Sequence, residues 1–374
     1  MPFDTDLVTT PSDMQGNERL ESALQLLLEG DFQARWEATK HISALGKSAI
    51  AYLIPLLKDE ELDWEIRWFA ARTLGKFDDE AALQALINLL EQTQESELIM
   101  IAAEGVSRFG ENGVDALVQL FANPIHRVTA IQALARIRHQ AALQPLMAAA
   151  RDTDPEVRTI ALSALGNFRT LPVDLILIDA VEDPVAVVRQ EAIAHLGRRP
   201  YLLDTINLID ILLPGFWDVD PKVNQATAIA MGRLGTEAAV TQLARVLTSP
   251  RTSESLQVGV VRALGWIDKK SALSVLLASR LSASVTLQLE IIEALTHLET
   301  PELRQQAGKA LCNWLESLLI DTTAGQIKQA IAFAIGCLKN QPARPLLHKL
   351  SQDPDQQTSL YAQAALRQLA TIRS

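Results

Sequence analysis

The chain has 374 residues, a formal net charge of −11 at pH 7, 48% hydrophobic residues and 5% aromatic residues. The negative charge argues against nucleic acid as a partner, because affinity for nucleic acid comes from Lys and Arg side chains that neutralise phosphates. No stretch approaches the roughly 18 apolar residues that a membrane span needs, so no membrane span is expected.

The N-terminal residues lack helical periodicity and mix Pro, Asp, Thr, Ser and Gly, so we predict a flexible leader over residues 1–17. Met1–Leu7 has neither the basic region nor the apolar core of a secretory signal. Two cysteines, Cys312 and Cys337, cannot build a disulfide framework. We therefore expect a reducing, cytoplasmic setting.

A pattern that runs from Asp154 to Gly166 recurs, in weakened form, along almost the whole chain. In this copy Asp154 and Pro155 suit the cap and the first residue of a helix. Apolar residues then follow at helical spacing. Gly166 is expected to end the helix by adopting the left-handed conformation. A second helical segment follows, as in residues 141–150, so each unit is predicted to be a helical hairpin.

The first helices of the units are predicted to end at positions 46, 75, 110, 137, 166, 197, 235 and 265. A period of this length is typical of stacked helical repeats, and no segment shows the alternation that predicts a strand. We predict an all-α fold, a right-handed α-solenoid of about ten hairpins, with residues 18–374 forming a single continuous domain.

The pattern Asp-x-x-x-Arg-x-x-Ala followed by Ala-Leu-Gly resembles the HEAT-like repeats of the phycobilisome (PBS) lyase type, over most of residues 30–370. The resemblance implies a cyanobacterial protein. It also implies three kinds of function: attachment or detachment of bilins on phycobiliproteins, scaffolding that includes iron–sulfur cluster assembly, and deoxyhypusine hydroxylation. The hydroxylase uses repeated His-Glu pairs to hold two irons, and none of the six histidines here is followed by Glu. We do not expect that activity.

Two early repeats carry aromatic residues at positions where the regular repeats carry polar or capping residues. These are Phe32 and Trp36 in one repeat and Trp64 and Trp68 in the next. Residues four apart share a helix face and successive repeats stack, so we predict one patch of four aromatic side chains. The patch has two interpretations: it seals the end of the array, or it is an exposed hot spot that binds a protein partner.

The longest interval between helix ends, from 197 to 235, contains a second group of candidate residues: Arg198, Arg199, Tyr201, Trp217 and Asp218. An open-chain tetrapyrrole would need arginines for its propionates, rings for stacking and a carboxylate for its pyrrole N–H groups. The group is therefore a candidate bilin site. The other interpretation is a longer connection with no ligand.

Acidic residues are concentrated in residues 58–115, which hold 14 acidic and 5 basic side chains. This segment is interpreted either as a solvated face or as a docking surface for a basic partner.

No nucleophile elbow, phosphate loop or dinucleotide motif is present, and Cys312 and Cys337 lack the close spacing of metal ligands. We therefore predict no catalytic residue, no metal ligand and no cofactor. The predicted function is a non-catalytic scaffold or adaptor that binds a protein partner along the helical-repeat surface, in phycobilisome or iron–sulfur protein assembly. The alternative is a phycobilin lyase or a related bilin-handling enzyme, for which a bilin would be the ligand.

Overall fold

The computed structural model describes the backbone of residues 11–137, 139–321 and 323–370, and side chains from residue 18 onward. The described residues form helices and connections and include no strand, which confirms the predicted all-α fold. The helices are α1 Pro11–Glu29, α2 Phe32–Leu45, α3 Ile50–Lys58, α4 Trp64–Leu74, α5 Glu80–Gln92, α6 Ser96–Ser107, α7 Glu111–Phe121, α8 Arg127–Arg136, α9 Leu143–Ala149, α10 Pro155–Leu165, α11 Leu171–Asp179, α12 Ala186–Leu196, α13 Leu208–Leu212, α14 Pro221–Leu234, α15 Glu237–Thr248, α16 Glu254–Gly265, α17 Lys270–Ser279, α18 Val285–Thr296, α19 Pro301–Leu318, α20 Gly325–Cys337, α21 Arg344–Leu350 and α22 Gln356–Ala370. Short 3₁₀ helices occupy Lys47–Ala49, Gln140–Ala142, Ala180–Glu182, Pro200–Asp204, Leu213–Trp217 and Gln341–Ala343.

The chain divides into two compact units, unit 1 (Met1–Val173) and unit 2 (Asp174–Ser374). In unit 1, α2, α4, α6, α8 and α10 pack side by side as one layer, which we call layer A. In unit 2 the corresponding layer A consists of α12, α14, α16, α18, α20 and α22. Most layer A helices also pack against the helix before them, so the described residues form stacked hairpins as predicted. The single continuous domain expected for residues 18–374 stays a prediction.

Helix α1 begins at Pro11, before the position near Glu18 at which the sequence pattern becomes helical. Proline is tolerated in the first turn of a helix, where its missing N–H has no partner to lose. Residues 11–17 of the predicted leader are therefore helical, and residues 1–10 lie outside the described residues. No helix in the described part of the chain has the length and the apolar character needed to cross a membrane.

The glycine at the end of the repeat pattern has a different role from the one expected. Gly166 has φ −54°, a right-handed helical value, so the prediction of a left-handed conformation there was wrong. Gly75 and Gly197 are also right-handed, with φ −64° and −61°. Gly235, with φ 58°, does end its helix in the left-handed conformation.

Gly75 and Gly197 instead allow neighbouring layer A helices to approach closely. A Cβ added to Gly75, directly after α4, would lie 2.7 Å from Cα of Gly105 in α6. A Cβ added to Gly197 after α12 would lie 2.6 Å from Cα of Ala230 in α14. Real Cβ atoms are not found this close to backbone atoms, so these positions accept only glycine without a shift of one helix.

A polar contact also recurs in layer A, at the residue four positions after the helix N-cap. In α10, Nη1 of Arg158 donates to the carbonyl of Asp152 at 2.9 Å. In α12, Nη1 of Arg189 donates to the carbonyl of Asp183 at 2.7 Å. Both carbonyls belong to the connection that enters the helix, so the repeated arginine holds each connection to the helix that follows it.

We predict that Gly197→Ala lowers the free energy of unfolding by about 1–3 kcal/mol, because the new methyl group forces α12 and α14 apart. The measurement is urea unfolding followed by circular dichroism. The matched control is Gly325→Ala at the start of α20, where the nearest atom to the added Cβ is 3.7 Å away. An equal loss of stability in both variants would contradict the packing role of Gly197.

Candidate functional site

Layer A of unit 1 displays large apolar side chains at one repeated position. Trp36, Trp68 and Met100 each lie five residues after the N-cap of α2, α4 and α6, and 32 residues separate each from the next. Trp36 and Trp68 are half-buried, and 60% of Met100 is exposed. The same position on three neighbouring helices therefore forms one outward-facing apolar row.

The aromatic residues of this row are held by a buried ring. Phe69 is fully buried, and its ring centroid lies 5.1 Å from that of Trp68 and 6.3 Å from that of Trp36. Phe32, which is 57% exposed, lies 5.3 Å from Phe69 and stacks on Trp36 at 6.3 Å. Edge-to-face and offset contacts between rings are favourable at these distances, so the buried Phe69 helps to hold the rings of Phe32, Trp36 and Trp68 in place.

Arg72 joins the two tryptophans from the side. Its guanidinium carbon lies 4.5 Å from the ring centroid of Trp36 and 5.4 Å from that of Trp68. A cation over indole rings is attracted by their π electrons and still keeps its charge. We call Phe32, Trp36, Trp68 and Met100 the aromatic face.

A hollow of about 240 Å³ adjoins the aromatic face on the side of α6 and α8. Its lining includes Trp68, Met100, Glu104, Gln132 and Arg136. The hollow combines an apolar wall with charged side chains at one end, which suits an apolar side chain whose flanking groups are polar.

The predicted patch of four aromatic residues is formed by three of them. Trp64 lies at the start of α4, is 47% exposed, and makes no ring contact with Phe32, Trp36 or Trp68. Met100, Phe69 and Arg72 were not among the residues predicted from the sequence. Met100 could have been found from its spacing of 32 residues after Trp68.

In unit 2, the predicted bilin residues Arg199, which is buried, and Tyr201, which is exposed, form a hydrogen-bonded cluster with the buried Asp174. Arg199 is 2% exposed, and its Nη1 donates to Oδ1 of Asp174 at 2.7 Å and to the Tyr201 hydroxyl at 2.6 Å. The Tyr201 hydroxyl donates to the same carboxylate oxygen at 2.8 Å. Burial raises the pKa of Tyr201. Arg199 is thus engaged with a carboxylate of its own unit.

Asp218 is engaged in the same way by Arg189. Nε and Nη2 of Arg189 donate to the two carboxylate oxygens of Asp218 at 2.6 and 2.7 Å. This bidentate pair links α12 to the N-terminal connection of α14. Arg198 and Trp217 are exposed. Of the five residues predicted to bind a bilin, two are therefore held in internal ion pairs, and bilin binding stays a prediction.

The cysteines show no sign of activation. Burial raises the pKa of the Cys312 thiol, with Glu316 adding to the effect, and burial also raises the pKa of Cys337. Such thiols are poor nucleophiles because the reactive form is the thiolate. Within the residues that the structure describes, no group of three or more His, Cys, Asp or Glu side chains is arranged to hold a metal ion.

We predict that Asp218→Asn destabilises the protein by about 1–3 kcal/mol at neutral pH, because Arg189 loses its carboxylate. The hydrogen bonds from Arg189 hold the pKa of Asp218 below its usual value of 3.8, against the effect of burial. A lowered folded-state pKa contributes stability above pH 3.8 that is lost as the pH falls further. The stability difference between the wild type and the variant should therefore shrink below that pH.

The measurement is the urea midpoint of both proteins from pH 7 to pH 3. Asp204→Asn, at an exposed carboxylate between α12 and α13, is the matched control and should change stability little at any pH. A pH-independent difference for Asp218→Asn would contradict the ion-pair explanation.

Comparison with known proteins agrees with this architecture. A family model described as HEAT repeats matches residues 20–107, 114–197 and 207–296. No curated protein matches the sequence. Among solved structures, a Kap121p mutant is similar at a TM-score of 0.62 and 14% identity, over 99% of this chain and 46% of that chain.

Importin beta, crystallised in a polyethylene glycol condition, is similar at a TM-score of 0.60 and 15% identity, over 98% of this chain and 61% of that chain. Kap95p, in a structure that describes its binding to RanGDP, is similar at 0.58 and 14% identity, over 96% of this chain and 61% of that chain. The chain therefore spans only about half to three fifths of the length of these proteins. At such identities the likeness shows a shared fold. The match of the family model to most of the sequence shows that the chain belongs to the HEAT repeat family.

Proposed function

We propose that the protein is a non-catalytic scaffold or adaptor that binds a protein partner through the aromatic face of unit 1. The observation that carries the proposal is the set of large apolar side chains on the outward face of three adjacent helices: the exposed Phe32 and Met100 and the half-buried Trp36 and Trp68. Trp contributes more than other residues to binding energy at protein interfaces, and Met adapts its shape to a partner surface.

The aromatic face is also ordered before a partner arrives. Phe69 and Arg72 contact Trp36 and Trp68 from below and from the side, which restricts their rotamers in the free protein. Less side-chain entropy is then lost on binding, so more of the contact energy contributes to affinity. The fold supports the same function, since stacked repeats present extended binding surfaces and Kap95p, of similar fold, binds RanGDP.

The resemblance of the repeats to the PBS lyase type makes phycobiliproteins and iron–sulfur proteins the first partner classes to test. A phycobilin lyase or related bilin-handling enzyme is the alternative. Co-expression with a bilin-synthesis pathway separates the two functions. We expect the scaffold to purify without visible absorbance and without transfer of pigment to an acceptor subunit; a coloured complex would favour the alternative.

We predict that Trp68→Ala weakens binding of the purified partner by about 2 kcal/mol or more, the usual effect of removing a hot-spot residue. The partner is first identified by affinity purification and mass spectrometry, and its affinity is then measured by calorimetry. Trp64→Ala is the matched control, because it removes the same side chain one turn earlier on α4, outside the aromatic face.

Trp68 is half-buried, so Trp68→Ala also removes packing contacts and is expected to lower the stability of the fold. Met100→Ala, at a side chain that is 60% exposed, provides a second variant that leaves the packing around Phe69 intact. Unchanged affinity in both Trp68→Ala and Met100→Ala, with normal thermal melting, would contradict the proposed binding surface.

A further inference from the structure

Positive charge is concentrated beside the aromatic face, in a chain whose net charge is −11. Five cations lie near the C-terminal ends of α2, α4, α6 and α8, and two carboxylates form ion pairs with them among the described residues. The cations are Lys40, Arg72, Lys76, Arg108 and Arg136, and the carboxylates are Glu37 and Glu104.

These charges continue the rows that begin at the aromatic face. On α4, Trp68 is followed four residues later by Arg72, and residues four apart share a helix face. Lys76 lies two residues after the end of α4, and Arg108 lies directly after the end of α6. Along both helices the apolar side chain is therefore followed by cations toward the C-terminal end. The arrangement places a basic border along one side of the aromatic face.

Two of the cations have no carboxylate partner within the described part of the chain. Arg72 contacts the rings of Trp36 and Trp68, and Nζ of Lys76 lies 3.4 Å from the Ser43 hydroxyl. Burial, and then the neighbouring cations Arg72, Arg108 and Lys40, lower the pKa of Lys76. The cations therefore repel one another and would be stabilised by an added negative charge.

Arg108 and Arg136 are only partly neutralised, because they share one carboxylate. Glu104 accepts from Nη2 of Arg108 at 2.9 Å and lies 3.2 Å from Nη1 of Arg136. Beyond them, a second hollow of about 330 Å³ is lined by Lys76, Arg108 and the residues next to each. The exposed carboxylate of Asp78 also lines this hollow.

Stabilisation of helix C-termini by cations explains why basic residues lie at these ends. It does not explain why Arg72 and Lys76 lack carboxylate partners among the described residues, since residues 58–115 hold 14 acidic side chains. Acidic side chains cluster instead in the connection before α4, at Asp59–Asp63. Two cations of the basic border, Arg72 and Lys76, therefore lack a carboxylate partner among the described residues, although many acidic residues are close to them in sequence.

We propose that the aromatic face and its basic border bind an acidic segment of a protein partner that carries at least one large apolar side chain. The apolar side chain occupies the hollow beside Trp68 and Met100, and carboxylates pair with Arg72, Lys76 and Arg108. This inference rests on the proposed scaffold function and names the chemistry of its partner. It selects an acidic partner for this surface, whereas a basic partner is one of the two interpretations of the acidic residues 58–115.

The test uses three matched fluorescein-labelled peptides and fluorescence anisotropy with the full chain. One peptide combines Glu and Asp with Leu and Phe, the second replaces its acidic residues by Lys, and the third replaces its apolar residues by Ser. We expect the first peptide to bind tightest, and its affinity to fall as salt is raised because exposed charges are screened. Tighter binding of the basic peptide, or no binding of the acidic apolar peptide, would overturn the proposal.

A pair of charge-reversal variants locates the binding site. Lys76→Glu should weaken binding of the acidic apolar peptide about tenfold at low salt, because an attractive contact becomes repulsive. Lys58→Glu, at an exposed lysine at the end of α3, makes the same change in net charge away from the basic border and should leave the affinity within about twofold. Equal effects of the two substitutions would overturn the assigned site.

A failure of the scaffold function and a failure of the acidic-partner inference give different experimental results. If Trp68→Ala abolishes binding of the native partner and Lys76→Glu does not weaken it, the scaffold function stands and the acidic chemistry is wrong. If neither substitution affects the partner, the aromatic face is not the binding surface. Analytical ultracentrifugation of the chain alone tests whether a second copy of the chain binds this surface. Self-association that Lys76→Glu abolishes would overturn the proposal of a separate acidic partner.

Discussion

The close approach of neighbouring layer A helices is the constraint on which the rest of the structure depends. Backbones come so near at Gly75 and Gly105, and at Gly197 and Ala230, that a single added methyl group would overlap the next helix. Close approach of two backbones brings many atoms into van der Waals contact, which stabilises the seams between helices through dispersion. A seam of small residues also leaves no room for large side chains, which must lie on another face of the helix.

The aromatic face follows from this constraint. The position occupied by Trp36, Trp68 and Met100 points outward from layer A, where side-chain size is not limited by the seam. In the regular repeat that begins at Asp154 the same position is held by Thr159, and a small polar residue there is sufficient for folding. A large apolar residue at this position leaves part of its apolar surface exposed to solvent, which is why it is informative about binding.

Charged residues fall into two groups, according to whether they lie inside the fold or on its outward face. Arg189 with Asp218, and Arg199 with Asp174, are largely buried pairs within unit 2, where an unpaired charge would be costly. Arg72 and Lys76 lie on the outward face of unit 1, where a cation without a carboxylate partner costs less free energy than it would inside the fold. Internal pairs hold the helices together, whereas unpaired surface cations remain available to another molecule.

The sequence by itself determined the helical hairpins and their stacking, because capping residues, helical spacing and a recurring period are local features that repeat along the chain. It also identified three of the four side chains of the aromatic face. It did not exclude Trp64, assign the partners of Arg199 and Asp218, or reveal the glycine seam, since each depends on which residues of neighbouring helices come together. Only the tertiary structure decided those contacts, because register between stacked helices is set by packing and not by the local pattern of either helix.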